Sequence, residues 1–266
     1  MLALAQRTGS RSDAGHNSVA VHPHPVLSQL AVLHRFRTYV DIAIVVVVLA
    51  LTNLIAHFTA PWASIATVPV AAVGLVILVR TRGMGWAELG LGRDQWKSGI
   101  GYAAAAFAVV VSVITVGALL PVTRPMFLNN NYATISGAVI ASMVIIPLQT
   151  VIPEELAFRG VLHGALNRAW GFRGVAATGS LLFGLWHIAT SLGLTSSNVG
   201  FTRVFGGGFP GEVTGVVMAV AATAAAGFVF TWLRRRSGSL IAPIALHWSL
   251  NGFGALAAAA VWHLTT

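Results

Sequence analysis

The apolar positions of this chain come in long runs separated by short polar segments. Crossing the hydrocarbon core of a bilayer as a helix takes about 20 mostly apolar residues. Runs of roughly that length cover 39–58, 62–79, 98–120, 135–152, 175–194, 213–233 and 240–264. The stretch 154–170 is less apolar and reads as one more helix, amphipathic or partly embedded, continuing or following the fourth run after Pro153. The pattern predicts an all-α polytopic membrane helix bundle, with about seven transmembrane helices plus that extra helix.

The segments between the runs set the organisation. Residues 1–30 carry Gly, Ser, Asp, Asn, Pro and the histidines His16, His22 and His24, and lack the apolar core of a secretory signal, so they read as a disordered cytoplasmic tail. N-terminal transmembrane helices follow over 31–85, and a core over 86–266. The Gly-, Asn- and Pro-rich segments 121–134 and 195–212 read as loops without regular structure. No repeat of fixed period and no inverted symmetry between the halves is visible, which weakens a transporter reading.

Composition sharpens the class. Charged residues make up 9% of the chain against about a quarter in soluble domains, and hydrophobic ones 56%. That is an integral membrane protein. The net charge of +9 does not indicate nucleic acid, because the Lys and Arg residues are dispersed in short segments instead of gathering on one face. With alternating spans, all 16 of them except Arg124 and Arg203 fall on one side, and the positive-inside rule makes that side cytoplasmic. The expected place is the cell membrane, multi-pass, with the N-terminus in the cytoplasm and the C-terminus outside. Arg234, Arg235 and Arg236 read as ordinary topology signals. Cysteine is absent, so thiolate chemistry, disulfides and Cys-ligated metals are excluded.

Acid is scarce, with 7 Asp and Glu in all, which makes the adjacent Glu154 and Glu155 conspicuous. Ionised groups at membrane depth need partners. Arg159 lies four residues after Glu155 and is placed to pair with it, leaving Glu154, about 100° around the helix, to point elsewhere. His163 continues the Glu155 and Arg159 face. His187 falls in the middle of the fifth run, and His247 and Asn251 lie one turn apart on the last. His57, His163 and His263 fit the packing role common for membrane histidines. Two Glu, two His, an Asn and an Arg on apolar helices are separate costs unless they meet in one cavity. In such a cavity a carboxylate and an imidazole can activate a water for attack on a carbonyl while other donors bind the oxyanion, or Glu and His can hold a zinc ion. The residues alone leave both open.

Three motifs in order resemble the CPBP family of intramembrane endopeptidases, the CAAX protease and bacteriocin-processing or Abi family. They are Pro153-Glu154-Glu155-Leu156-Ala157-Phe158-Arg159-Gly160, then Leu182-Phe183-Gly184-Leu185-Trp186-His187, then the segment from Ser239 through Pro243 to His247 with Asn251. Glu88-Leu89-Gly90-Leu91-Gly92 also looks like a stretch many members carry upstream. The resemblance implies that Glu154 and His187 activate the attacking water. It gives His247 and Asn251 the oxyanion, and Glu155 and Arg159 an orienting role. In the metal version, Glu154, His187 and His247 hold the ion. No cofactor is certain, and zinc is the one the residues would suit.

The resulting expectation is a CAAX-protease-like endopeptidase cutting a membrane-associated peptide or protein near the cytoplasmic face, with the lipid bilayer as its other partner and no nucleic acid. The alternative is a non-proteolytic membrane regulator or scaffold of the same family, binding a sensor kinase or a secretion component. A proton-coupled transporter with the Glu pair as relay comes third.

Overall fold

The computed structural model describes residues 25–60 and 62–265. In lipid, backbone polar groups must be satisfied within the segment, which a helix does. Accordingly the described residues are helices and their connections, with no β-strand among them. We label the main ones α1 (Pro25–Phe58), α2 (Ala63–Thr81), α3 (Trp96–Leu119), α4 (Ile135–Trp186), α5 (Gly208–Ser237) and α6 (Ile241–Thr265).

Five of these, all but α2, are long and apolar enough to cross a membrane; the apolar part of α2, Ile65–Thr81, is shorter. The difference from the predicted spans lies mainly in α4. Its 52 residues would reach roughly 78 Å if straight, more than twice a hydrocarbon core. It breaks at Gly171, whose φ of 62° and ψ of −168° suit glycine, so the parts before and after this residue are separate arms. The runs predicted at 135–152 and 175–194 are therefore the two ends of one segment.

The predicted helix 154–170 is the middle of α4, and it continues through Pro153 without a stop. Pro147 and Pro153 each remove a backbone donor, and the helix opens to wide i→i+5 turns over Ala141–Val151 and Leu156–Leu162. Nor is this stretch amphipathic in its setting. All ten side positions from Ala157 to Leu166 are buried, because α1, α2 and α5 surround it. The fifth predicted run also ends early, at Trp186 instead of residue 194.

Two further segments differ from expectation. Helix α1 begins at Pro25, so the last residues of the predicted tail are helical, and the rest of that tail lies outside the described residues. Within 195–212 two short helices form, Leu194–Ser197 and Val199–Phe205. They are held by polar caps: Asn198 accepts from the Phe201 amide at 3.1 Å, and the Glu212 carboxylate accepts from the Gly193 amide and, at 2.6 Å, from the Thr195 hydroxyl.

The bundle has two distinct ends. At one, Arg82 pairs with Asp41, Arg168 donates to Glu88 at 2.8 and 2.9 Å, and the Leu240 amide donates to the Gly90 carbonyl at 2.9 Å. At the other, Trp262 Nε1 donates to the Asn129 carbonyl at 3.0 Å, and Asn198 to the Met126 carbonyl at 3.0 Å. Helices α3 and α5, of 24 and 30 residues, run between them. The basic connections thus collect at one end.

The packing is that of a protein in an apolar solvent. Large apolar side chains face outward along α1, α3 and α5, among them Val47, Leu51, Val109, Val113, Val217 and Phe228. The centre instead contains Glu154, Glu155, Arg159 and His247, all buried. Exposed apolar surface on this scale marks a lipid or protein contact. The chain is a helical membrane protein. Its main core joins Val45 and Leu49 of α1, Leu75 and Val79 of α2, Phe158 and Leu162 of α4, and Phe230 of α5.

Candidate active site

The middle of α4 presents the acidic pair. Glu155 is fully buried, and its Oε1 accepts from Arg159 Nη1 at 3.0 Å, one turn on, as the spacing predicts. The same oxygen lies 2.9 Å from His247 Nδ1 on α6. Since a carboxylate only accepts, His247 Nδ1 carries the proton and its Nε2 faces away from Glu155. That Nε2 stands 4.0 Å from Glu154 Oε2. Both atoms are acceptors, so no direct hydrogen bond joins them, and a group with two donors, such as a water set off the line between them, can reach both.

Glu154 does point elsewhere than Glu155, as the 100° rotation requires. Its Oε1 accepts from Trp186 Nε1 at 3.0 Å, while its Oε2 is buried without a hydrogen-bond partner among the described residues. A carboxylate oxygen held in that state is available to a substrate, a water or a proton. A buried acceptor left unmade costs about 1–3 kcal/mol, which favours a donor beside it; Glu155 Oε2 is buried in the same state, so the two carboxylates together offer two such oxygens.

His187 does not sit in the middle of a span. It occupies the turn that ends α4, at φ −86° and ψ 2°, a region where active-site residues recur. Its Nδ1 is 2.8 Å from the Phe183 carbonyl, which can only accept, so Nδ1 is the donor and Nε2 is left with its lone pair free for a proton. The Phe183 ring contacts both imidazoles, with centroids 4.6 Å from His187 and 6.0 Å from His247. The two histidines therefore flank one aromatic ring. Gly184 makes this possible: a Cβ there would come within 2.7 Å of the Val220 carbonyl and 2.8 Å of Ala224 Cβ, so only glycine lets α5 cross so closely.

Aromatic rings wall the centre. The Arg159 guanidinium lies 3.9 Å from the Phe183 centroid and 4.7 Å from that of Phe230. Phe230 in turn stacks on His247 at 5.1 Å. Cation–π contacts of this kind reach about 2 kcal/mol when desolvated, and here they supplement a single carboxylate partner.

Asn251 is placed differently from its three-motif companions. It falls in a wide turn, Ser249–Phe253, is exposed, and its side chain has no hydrogen-bond partner among the described residues. His163 is buried one turn beyond Arg159 and lines a separate polar cavity. Among the described residues, no three His, Asp or Glu side chains stand together in a way that could hold a metal ion. Glu154, His187 and His247 do not form a ready zinc set, and Glu155 Oε1 is already shared by Arg159 and His247.

Two residues of the site were not singled out from sequence. Trp186, beside His187, supplies the donor to Glu154, and its only sequence signal is that adjacency. Phe230, which stacks on His247, sits in an apolar run and gives no signal.

A bundle with an apolar exterior and a buried carboxylate–imidazole centre defines an intramembrane protein with an ionisable site. Residues 135–253 match the model of the family described as Type II CAAX prenyl endopeptidase Rce1-like, so the chain carries a domain of the CPBP family. The matched segment contains Glu154, Glu155, Arg159, His187, His247 and Asn251. No curated protein and no solved structure matches the chain.

Proposed function

We propose that the protein is an intramembrane endopeptidase that hydrolyses a peptide bond with a water activated by Glu154 and His187. The family match supports a CAAX-protease-like hydrolase, and the observation that carries the mechanism is the unpartnered Glu154 Oε2 facing His247 Nε2 across 4.0 Å. Glu154, steadied by Trp186, takes the proton of a water lodged there. His187, with Nδ1 committed to Phe183, offers Nε2 as the second base and returns a proton to the leaving amine. Asn251 donates to the oxyanion as the carbonyl becomes tetrahedral, and His247, whose Nδ1 proton is held by Glu155, joins it only once its Nε2 has taken a proton. Asn251, being exposed, is free to turn toward a bound substrate.

In this reading Arg159 holds the Glu155 carboxylate in place so that His247 stays oriented. The basic end of the bundle is cytoplasmic by the positive-inside rule, and the substrate is a membrane-associated peptide or protein approaching from that side.

The test is cleavage of labelled membrane-anchored peptides by the purified protein, beside Glu154→Ala and a chelator. Loss of cleavage in Glu154→Ala with none on chelation is expected. Parental rates in both Glu154→Ala and His187→Ala would sink the mechanism.

A further inference from the structure

The two helices that wall the candidate active site meet again one turn beyond it. Arg234 follows Phe230 by four residues on α5, and His163 follows Arg159 by four on α4. Both line a cavity of about 400 Å³ at the basic end of the bundle, together with Asn167, Phe172, Arg235 and Glu88. That volume lies within the range of small-ligand sites, about 300–1,000 Å³.

The charge inside this cavity is unbalanced. Arg234 is only 6% exposed, yet its hydrogen bonds run from Nη2 to two neutral acceptors, the carbonyls of Ala87 at 3.3 Å and Glu88 at 3.0 Å. Its Nε has no partner. The Arg235 guanidinium lies 4.1 Å over the Phe172 ring. Among the described residues neither arginine pairs with a carboxylate. The one acid in the wall, Glu88, has both oxygens engaged by Arg168, at 2.8 and 2.9 Å, and accepts from the Gly85 amide as well. His163, 9% exposed, adds a ring nitrogen, Nδ1, with no hydrogen-bond partner.

A buried guanidinium whose only acceptors are neutral is a standing cost that an anion beside it removes. Two guanidiniums, an imidazole and a carboxamide offer more donors than a carboxylate has oxygens to meet. A phosphate group, with three or four oxygens, matches them better. We propose that the cavity of His163, Asn167, Arg234 and Arg235 is a binding site for a phosphate group with at least three free oxygens, supplied by a phosphomonoester lipid headgroup or by free phosphate. Two of its four residues then belong to the helical turns that carry Arg159 and Phe230, which ties occupancy of the site to the packing around His247.

The experiment uses the full chain and needs no cleavage assay. Delipidated protein in detergent is titrated with inorganic phosphate against chloride at matched ionic strength, and protein in nanodiscs of phosphatidylcholine is compared with protein in discs doped with phosphatidic acid. The thermal midpoint is read in each, since a ligand that binds only the folded state raises it. Arg235→Gln, at an exposed position, is compared with Arg236→Gln, which removes the same charge outside the cavity. A rise in midpoint whose ligand dependence is weakened about tenfold by Arg235→Gln and unchanged by Arg236→Gln is expected. A response to inorganic phosphate identifies the free anion, and a response to phosphatidic acid alone identifies the headgroup. No response to either ligand, or equal weakening in the two variants, overturns the site.

Discussion

His247 Nδ1 stands 2.9 Å from Glu155 Oε1, the oxygen that also takes the Arg159 guanidinium at 3.0 Å. One carboxylate oxygen thus fixes both a buried cation and the tautomer of an imidazole on another helix. Replacing Glu155 with Ala leaves Arg159 buried and uncompensated, and removing one partner of such a pair costs about 3–5 kcal/mol. Glu155→Ala is expected to melt well below the parent in detergent, while Glu154→Ala, whose side chain has no counter-ion in direct contact, melts near it. Equal midpoints would show that Glu155 does not hold the site together.

Trp186→Phe separates positioning from packing. The ring that packs on Phe158 at 5.6 Å is retained in kind, and only the donor to Glu154 is lost. A hydrogen bond to a charged group is worth about 1.5–3 kcal/mol, so cleavage is expected to fall roughly 10- to 100-fold with the fold intact. The fall should appear in kcat, with the thermal midpoint close to that of the parent. A parental kcat would assign Trp186 to packing alone.

Asn251→Ala tests the oxyanion assignment. The side chain is exposed and unpartnered among the described residues, so stability should stay within about 0.5 kcal/mol of the parent. Loss of an oxyanion donor costs about 10²–10³ in kcat. A variant that cleaves at the parental rate removes Asn251 from the mechanism.

Outside the spans, the Arg168 hydrogen bonds hold the Glu88 carboxyl below its ordinary value of 4.5. A depressed folded value means the stabilisation is present above the unfolded value and is lost as pH falls through the folded one. The thermal midpoints of the parent and Glu88→Gln should therefore converge as the pH is lowered below about 4.5. With the Glu88 side chain 43% exposed, the difference at neutral pH is small and shrinks with salt. A gap that persists at pH 3 would mean that Glu88 acts by shape and not by charge.

Much of the site was legible because helical spacing carries it. Glu155 and Arg159 pair as four-residue spacing requires, and Glu154 turns away from them. The same rule failed for His247 and Asn251, because a wide turn over Ser249–Phe253 changes the angular step per residue and nothing in the sequence announces it. The long apolar runs gave the class and the helical membrane fold. They could not show that 135–152 and 175–194 belong to one segment broken at Gly171, since a single glycine among many marks that turn. Counting Arg159 and Arg234 as topology charges was also a limit of the linear view, as both are buried.

The break at Gly171 folds α4 back on itself and brings Trp186 to Glu154 over a separation of 32 residues, whereas His247 reaches Glu155 over 92. Half of the site is thus local to one helical hairpin, and the other half arrives with α6. During synthesis from the N-terminus, the hairpin can settle in the bilayer with the Glu154–Trp186 contact made and His187 already in its tautomer, but with the neighbour of Glu155 still missing. The Glu155–His247 contact forms only when α6 docks, so the polar centre is the last part of the bundle to be assembled, inside helices that already enclose it.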